Sequence, residues 1–193
     1  GLGSNLLVRD AGIRGTVIAT HRVLDGIERL GGNRVRAEAG VPCAKLARQC
    51  ARWGLGQAEF FAGIPGTIGG ALAMNAGAFG GETWSLVRAV ETVNRQGELH
   101  RRLPDAYRIA YRTVEGSADE WFVSAELQLQ TGDTSAALAG IRELLERRNT
   151  TQPTGQPSCG SVFRNPPGDH AARLIESAGL KGRRIGGARV SEK

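Results

Sequence analysis

The sequence predicts an α+β protein in two parts, and three observations predict it. Arg34–Ala39 (RVRAEA) and Trp121–Gln130 (WFVSAELQLQ) alternate with the period of half-buried strands. Pro42–Gly54 (PCAKLARQCARWG) instead spaces its apolar residues as a helix does. At Thr131-Gly132-Asp133 the strand-rich pattern gives way to helical spacing. The domain boundary is therefore expected near residue 131, giving parts 1–131 and 132–193.

In chain order, GLGSNLLV opens with a Gly-x-Gly-Ser-Asn turn. Such a turn presents N–H groups and a hydroxyl to a pyrophosphate, or does nothing but turn. It is not a Rossmann fingerprint, because Asn5–Val8 reads as strand rather than helix. A strand is expected over Gly15–Thr20 and another over Arg34–Ala39. In the helix that follows, Pro42 takes the first position and Gly54 lies past the end. Its inward face is Cys43, Leu46, Ala47, Cys50 and Trp53.

Further on, Val87–Val93 and Glu98–Arg101 flank Asn94-Arg95-Gln96-Gly97 as a hairpin. A helical turn over Pro104–Ile109 leads into Ala110-Tyr111-Arg112-Thr113. Thr134 or Ser135 caps a helix with Ala137, Leu138, Ile141, Leu144 and Leu145 inward. A last helix turns Ala171, Leu174, Ile175 and Ala178 inward and stops at Gly179.

Composition bounds the function. A net charge of +6 and a pI near 9.9 suit an anionic ligand or a nucleic acid. Aromatics at 5% and the lack of a basic run interleaved with Phe or Tyr argue against a single-strand stacking surface. No 18-residue apolar stretch exists to span a membrane. Cys43 and Cys50 are too far apart along a helix for a disulfide and read as core thiols, which makes a reducing compartment the default. No Cys/His spacing suits zinc, so no metal is expected.

Two segments carry candidate chemistry. Gly63–Gly81, GIPGTIGGALAMNAGAFGG, spends its glycines among Ile64, Ile68, Leu72 and Met74, which reads as a buried loop that lets a ligand approach the main chain closely. The Pro/Gly-rich TQPTGQPSCGSVFRNPPG is the other. Its Ser161 is a possible proton donor, and its Arg164 and Asn165 are possible phosphate ligands, against the plainer reading of an Asn-Pro turn. Arg147, Arg148, Lys181, Arg183 and Arg184 would suit a diphosphate nearby. Cys159 has no histidine close in sequence to activate it.

Taken in order, GLGSNLLV, GIPGTIGGALAMNAGAFGGE, YR, QPSCGSVFRNP, AGLKG and GGARVSEK resemble the UDP-N-acetylenolpyruvoylglucosamine reductases over nearly the whole chain. The central loop and GSVFRNP are specific to that family, and the short interval between YR and GSVFRNP is similar to its more compact type. The resemblance implies an FAD-binding fold of the vanillyl-alcohol-oxidase type, with residues 1–20 a remnant of its first lobe and 21–131 the second. A smaller α+β substrate-binding domain follows.

It also implies FAD-dependent, NADPH-driven reduction of UDP-N-acetylglucosamine enolpyruvate to UDP-N-acetylmuramate, in the cytoplasm, by a monomer with a UDP-sugar partner. Neither nucleic acid nor membrane is implied. Gly3, Ser4, Asn5 and Leu6 would hold the FAD pyrophosphate. Gly63, Ile64, Pro65, Gly66, Thr67, Gly69, Gly70, Asn75 and Gly77 would line the flavin. Arg112 would stabilise the developing enolate and Ser161 would be the general acid. Tyr111, Arg164 and Asn165 would meet the substrate.

Two departures stand out. The family's late catalytic Glu has no match, Glu192 belonging to another motif, so a chain of this extent is expected to work poorly by itself. Thr113 stands where relatives often carry Ser. A related flavin oxidase or a non-catalytic nucleotide binder are the competing classes, and GSVFRNP speaks against the first because flavin binding does not need it.

Overall fold

A computed structural model describes residues 1–193. The chain divides into two compact units, Gly1–Leu145 and Glu146–Lys193. The break falls inside a helix rather than near residue 131. The reason lies in that helix's first half, where Ala137 and Ile141 are buried in the core of the first unit.

The first unit is built on an antiparallel sheet of β1 (Ile27–Leu30), β2 (Arg34–Glu38), β10 (Glu120–Gln128), β6 (Val87–Asn94) and β7 (Leu99–Arg102), in the order β1-β2-β10-β6-β7. Register explains its two faces. Ala125 pairs with Ala37 and Val90, and Leu127 with Val35 and Val87, so one face is a continuous apolar layer. The other face carries Arg34 on Glu126 at 3.0 Å and Arg36 on Glu91 at 2.6 Å.

Helix α1 (Cys43–Arg52) covers the apolar face with Cys43, Leu46, Ala47, Cys50 and Ala51. Pro42 is the residue before its first turn, one place earlier than expected. The free N–H of Cys43 is satisfied by Gly66 O at 2.9 Å. Gly54, at φ +67°, ends the helix. A short strand β3 (Leu55–Gly56) pairs with β11 (Gln130–Thr131), and the 3₁₀ turn Glu59–Gly63 stacks Phe60 on Phe61 beside α1.

Then come α2 (Ile68–Ala73), the hairpin β4 (Gly77–Ala78)/β5 (Gly81–Glu82), and the hairpin β8 (Arg108–Ala110)/β9 (Thr113–Glu115). The expected helical turn shrinks to Pro104–Ala106, because Arg108 is already paired with Glu115 in β8. Helix α3 runs Thr134–Thr151, and its cap is Asp133 rather than Thr134 or Ser135. Asp133 Oδ1 accepts the N–H of Ala136 at 2.7 Å.

The strands expected over Asn5–Val8 and Gly15–Thr20 do not form; residues 1–24 contain no regular element beyond turns. A strand needs a partner, and these residues have none. Leu7 is 96% exposed and Val17 72% exposed. The segment is pinned at its end instead. A Cβ on Gly40 would lie 2.1 Å from Thr20 O and 2.6 Å from Leu24 O, so this backbone contact admits only glycine. Gly26 N–H also donates to Glu38 Oε2 at 2.9 Å.

The second unit holds the end of α3, helix α4 (Ala171–Ser177) and the hairpin β12 (Arg184–Ile185)/β13 (Ala188–Arg189). Gly179 closes α4 at φ +67°, as its place in the sequence requires.

Candidate active site

The glycine-rich stretch is partly a packing device. A Cβ on Gly63 would fall 2.4 Å from the Phe79 ring and one on Gly69 2.9 Å from Ala39 Cβ. One on Gly77 would fall 2.6 Å from Gly81 O. At these glycines the close approach is made by the protein's own side chains and backbone. Ile64 and Ile68 are buried as expected, while Pro65 and Gly70 are open. A Cβ on Gly70 would meet nothing, and Ala73, three residues on, is exposed on the same side of α2. The segment thus has an apolar underside in the core and small exposed residues, Gly70 and Ala73, on its upper side, while the N–H groups of Ile64, Gly66, Ile68 and Gly69 are already given to carbonyls within the protein.

The N-terminal turn lies against this loop. Leu6 N–H closes on Gly3 O at 3.2 Å, with Gly3 at φ +70°. Ser4 Oγ is 3.2 Å from where a Cβ on Gly66 would sit, and Thr67 Oγ1 is 3.2 Å from the same place on Gly1. Gly3, Ser4, Asn5 and Leu6 are exposed, whereas Thr67 is 2% exposed. The exposed Ser4 hydroxyl therefore stands beside Gly66, and the buried Thr67 hydroxyl beside Gly1.

Tyr111 and Arg112 form the two-residue tip of the β8/β9 hairpin. Arg112 is held at φ +55°, a conformation that costs a residue with a Cβ about 1–2 kcal/mol. Tyr111 is 50% exposed. Asn75, at φ +40° and 3% exposed, connects this hairpin to the loop. Its Nδ2 donates to Glu82 Oε2 at 3.0 Å and Ala110 O at 3.3 Å, and its Oδ1 accepts Trp84 N–H at 3.1 Å. That buried side chain is engaged inside the protein, and the backbone N–H of Asn75 is also given away, to Leu72 O at 3.3 Å. Sequence reasoning missed this linking role, since an Asn among glycines signals a left-handed turn but not the partners it reaches.

In the second unit, Ser161 and Arg164 are exposed, and Ser161 makes no hydrogen bond within the protein. Gly160, just before it, sits at φ +69°. Asn165 is committed locally, its Oδ1 accepting Ala171 N–H at 3.1 Å at the start of α4. Arg173 pairs with Asp169, which its guanidinium holds below the usual carboxylate range. Cys159 is exposed. No group of His, Cys, Asp and Glu is arranged to hold a metal ion, and no helix is long and apolar enough to cross a membrane.

An exposed Gly-Ser-Asn turn, the Ser4 hydroxyl beside Gly66 and open space over Gly70 fit a large flat dinucleotide gripped by its pyrophosphate. Comparison with known proteins agrees. The family model for an FAD binding domain matches residues 1–102, and that for the UDP-N-acetylenolpyruvoylglucosamine reductase C-terminal domain matches residues 152–193. A crystal structure titled UDP-N-acetylenolpyruvylglucosamine reductase from Thermus caldophilus superposes with a TM-score of 0.79 and 34% identity. It covers 98% of this chain and 68% of that one.

The chain belongs to the UDP-N-acetylenolpyruvoylglucosamine reductase family.

Among curated members, that of Alkalilimnicola ehrlichii is 66% identical over 193 residues, all of this chain and 64% of its own length. That of Coxiella burnetii (strain Dugway 5J108-111) is 55% identical over 212 residues, all of this chain and 67% of its own. The chain thus spans about two thirds of the length of these relatives. The family's two-part architecture, an FAD binding domain and a C-terminal domain, is the architecture of this chain.

Proposed function

We propose that this chain carries the flavin site and substrate-facing residues for reduction of UDP-N-acetylglucosamine enolpyruvate to UDP-N-acetylmuramate in peptidoglycan precursor synthesis, with NADPH as electron donor. When bound, FAD supplies the redox chemistry, accepting two electrons from NADPH and delivering them as hydride to C3 of the enol ether. Gly3, Ser4, Asn5 and Leu6 take the pyrophosphate. Gly63, Ile64, Pro65, Gly66, Thr67, Gly69 and Gly70 would lie along the flavin, and Gly77 would shape the far end of that surface. Arg112 neutralises the negative charge that builds at C2 and the carboxylate as C3 is attacked. Ser161 then gives its hydroxyl proton to C2.

Tyr111 borders the substrate, Arg164 and Asn165 meet the UDP phosphates, and Asn165 also steadies its own segment by accepting the N–H of Ala171 at the start of α4. The protein works as a cytoplasmic monomer, without nucleic acid or membrane.

The observation that carries this reading is the placement of Ser4 Oγ 3.2 Å from where a Cβ on Gly66 would lie, which sets the exposed Gly-Ser-Asn turn beside the glycine-rich loop. The test is purification of the chain followed by absorbance near ~450 nm for bound flavin, then NADPH oxidation on adding the enolpyruvyl sugar nucleotide. Bound flavin is expected, with slow NADPH oxidation that depends on the substrate. Bound flavin reoxidised by oxygen alone would favour an oxidase.

A further inference from the structure

Asn75 and the Arg112 hairpin belong to different parts of the first unit, yet one amide joins them. The Nδ2 of Asn75 lies 3.3 Å from the carbonyl of Ala110, the last residue of β8 before the Tyr111-Arg112 tip. The same nitrogen donates to Glu82 and the Oδ1 receives Trp84 N–H, so rotation about the side chain is blocked from both ends. Trp84 in turn donates Nε1–H to Leu72 O at 2.8 Å and packs on Tyr107, which precedes β8. The unfavourable φ of Arg112 needs such support, because a free hairpin tip would relax.

We propose that Asn75 is a positioning residue for Arg112. Its side-chain amide fixes the hairpin's height over the glycine loop and so sets where the guanidinium meets developing charge. The proposal rests on the function given above. It moves Asn75 from the lining of the flavin to the frame that registers two reacting parts with each other. The φ of +40° supplies a suitable probe, since Asn75→Gly keeps that backbone geometry while deleting the amide. Asn75→Asp is the second probe, keeping shape and the acceptor for Trp84 while losing the donor and facing Glu82 with a like charge.

The two half-reactions are measured separately by rapid mixing, alongside flavin content and hydrogen exchange of the flavin-free protein. In both variants, flavin content and reduction by NADPH should stay within about twofold of the parent. Reoxidation by the enolpyruvyl substrate should slow on the order of 10-fold to 100-fold, with the loss in kcat rather than KM. Exchange across residues 108–115 should quicken while that of β6 and β10 does not. In an Arg112→Ala background the same Asn75 substitutions should cost almost nothing further, because the two residues act as one unit.

Loss of flavin in step with activity would overturn the proposal, as would equal slowing in the Arg112→Ala background or unchanged reoxidation. If Arg112→Ala leaves reoxidation untouched, the role given to Arg112 has failed and the inference falls with it. If Arg112→Ala slows reoxidation and the Asn75 variants do not, the inference alone falls.

Discussion

Gly69 and Gly70 are neighbours with opposite reasons for being glycine. The Cβ of an alanine at 69 would press on Ala39 Cβ at 2.9 Å and Ala39 O at 3.1 Å, with backbone that cannot step aside. Gly69→Ala should therefore destabilise the fold by about 1–3 kcal/mol, read from urea unfolding. Gly70→Ala meets open space on a helix, so stability should hold or rise by up to about 1 kcal/mol while flavin affinity drops. Equal flavin affinity in Gly70→Ala and the parent would remove Gly70 from the lining. Arg112 poses a related contrast. Arg112→Gly relieves its φ of +55° and should raise stability by about 1 kcal/mol while nearly abolishing turnover with the enolpyruvyl substrate. Thermal melting and steady-state kinetics on the same sample separate the two effects.

At the scale of elements, α1 shows how far burial governs chemistry. Desolvation pushes the thiols of Cys43 and Cys50 up to about 12, with the nearby charge of Glu59 adding to the shift at Cys50. Iodoacetamide at neutral pH should label Cys159 alone in the native protein and all three thiols in denaturant. Native labelling of either helix thiol would show that α1 opens readily. The folded state holds these protons to higher pH than the unfolded chain. Their contribution to stability is therefore complete below the ordinary thiol value near 9.0 and is lost as pH climbs toward about 12.

This helix was legible in the sequence because its apolar spacing has one solution, and β2, β6 and β10 were legible for the same reason. The strands expected over Asn5–Val8 and Gly15–Thr20 were misread because β-branched residues signal a tendency to pair, while pairing depends on a neighbour that local sequence does not reveal. The residues proposed for the site could be picked out as segments, since Ser4, Gly66, Arg112 and Ser161 all fall within short motifs. What stayed hidden was the use of each side chain. Nothing local says that Asn165 caps a helix or that Asn75 reaches Ala110 across 35 positions.

At the scale of the whole molecule, acid is the stress that its charge pattern resists least. Glu120 sits where β10, β6 and β7 meet, accepting Arg102 Nη2 at 2.5 Å and Thr92 Oγ1 at 2.6 Å. Arg102 first and Thr92 second hold its carboxyl down at about 2. Because the folded value lies below the ordinary one near 4.5, this support is complete above that pH and is lost as pH falls toward about 2. The urea midpoint should decline across that window, and Glu120→Gln should flatten the decline while lowering stability at neutral pH. An unchanged acid slope in Glu120→Gln would mean that other carboxylates carry the effect.

The burial of two sulfurs and the exposure of the third have a practical outcome. Cys159 stands two places before Ser161, so a fluorophore coupled to the native thiol lands beside the segment assigned to proton delivery without any engineering of the chain. Emission from such a dye should change on adding the enolpyruvyl sugar nucleotide, and an unchanged emission would count against the substrate-facing roles proposed for Ser161 and Arg164.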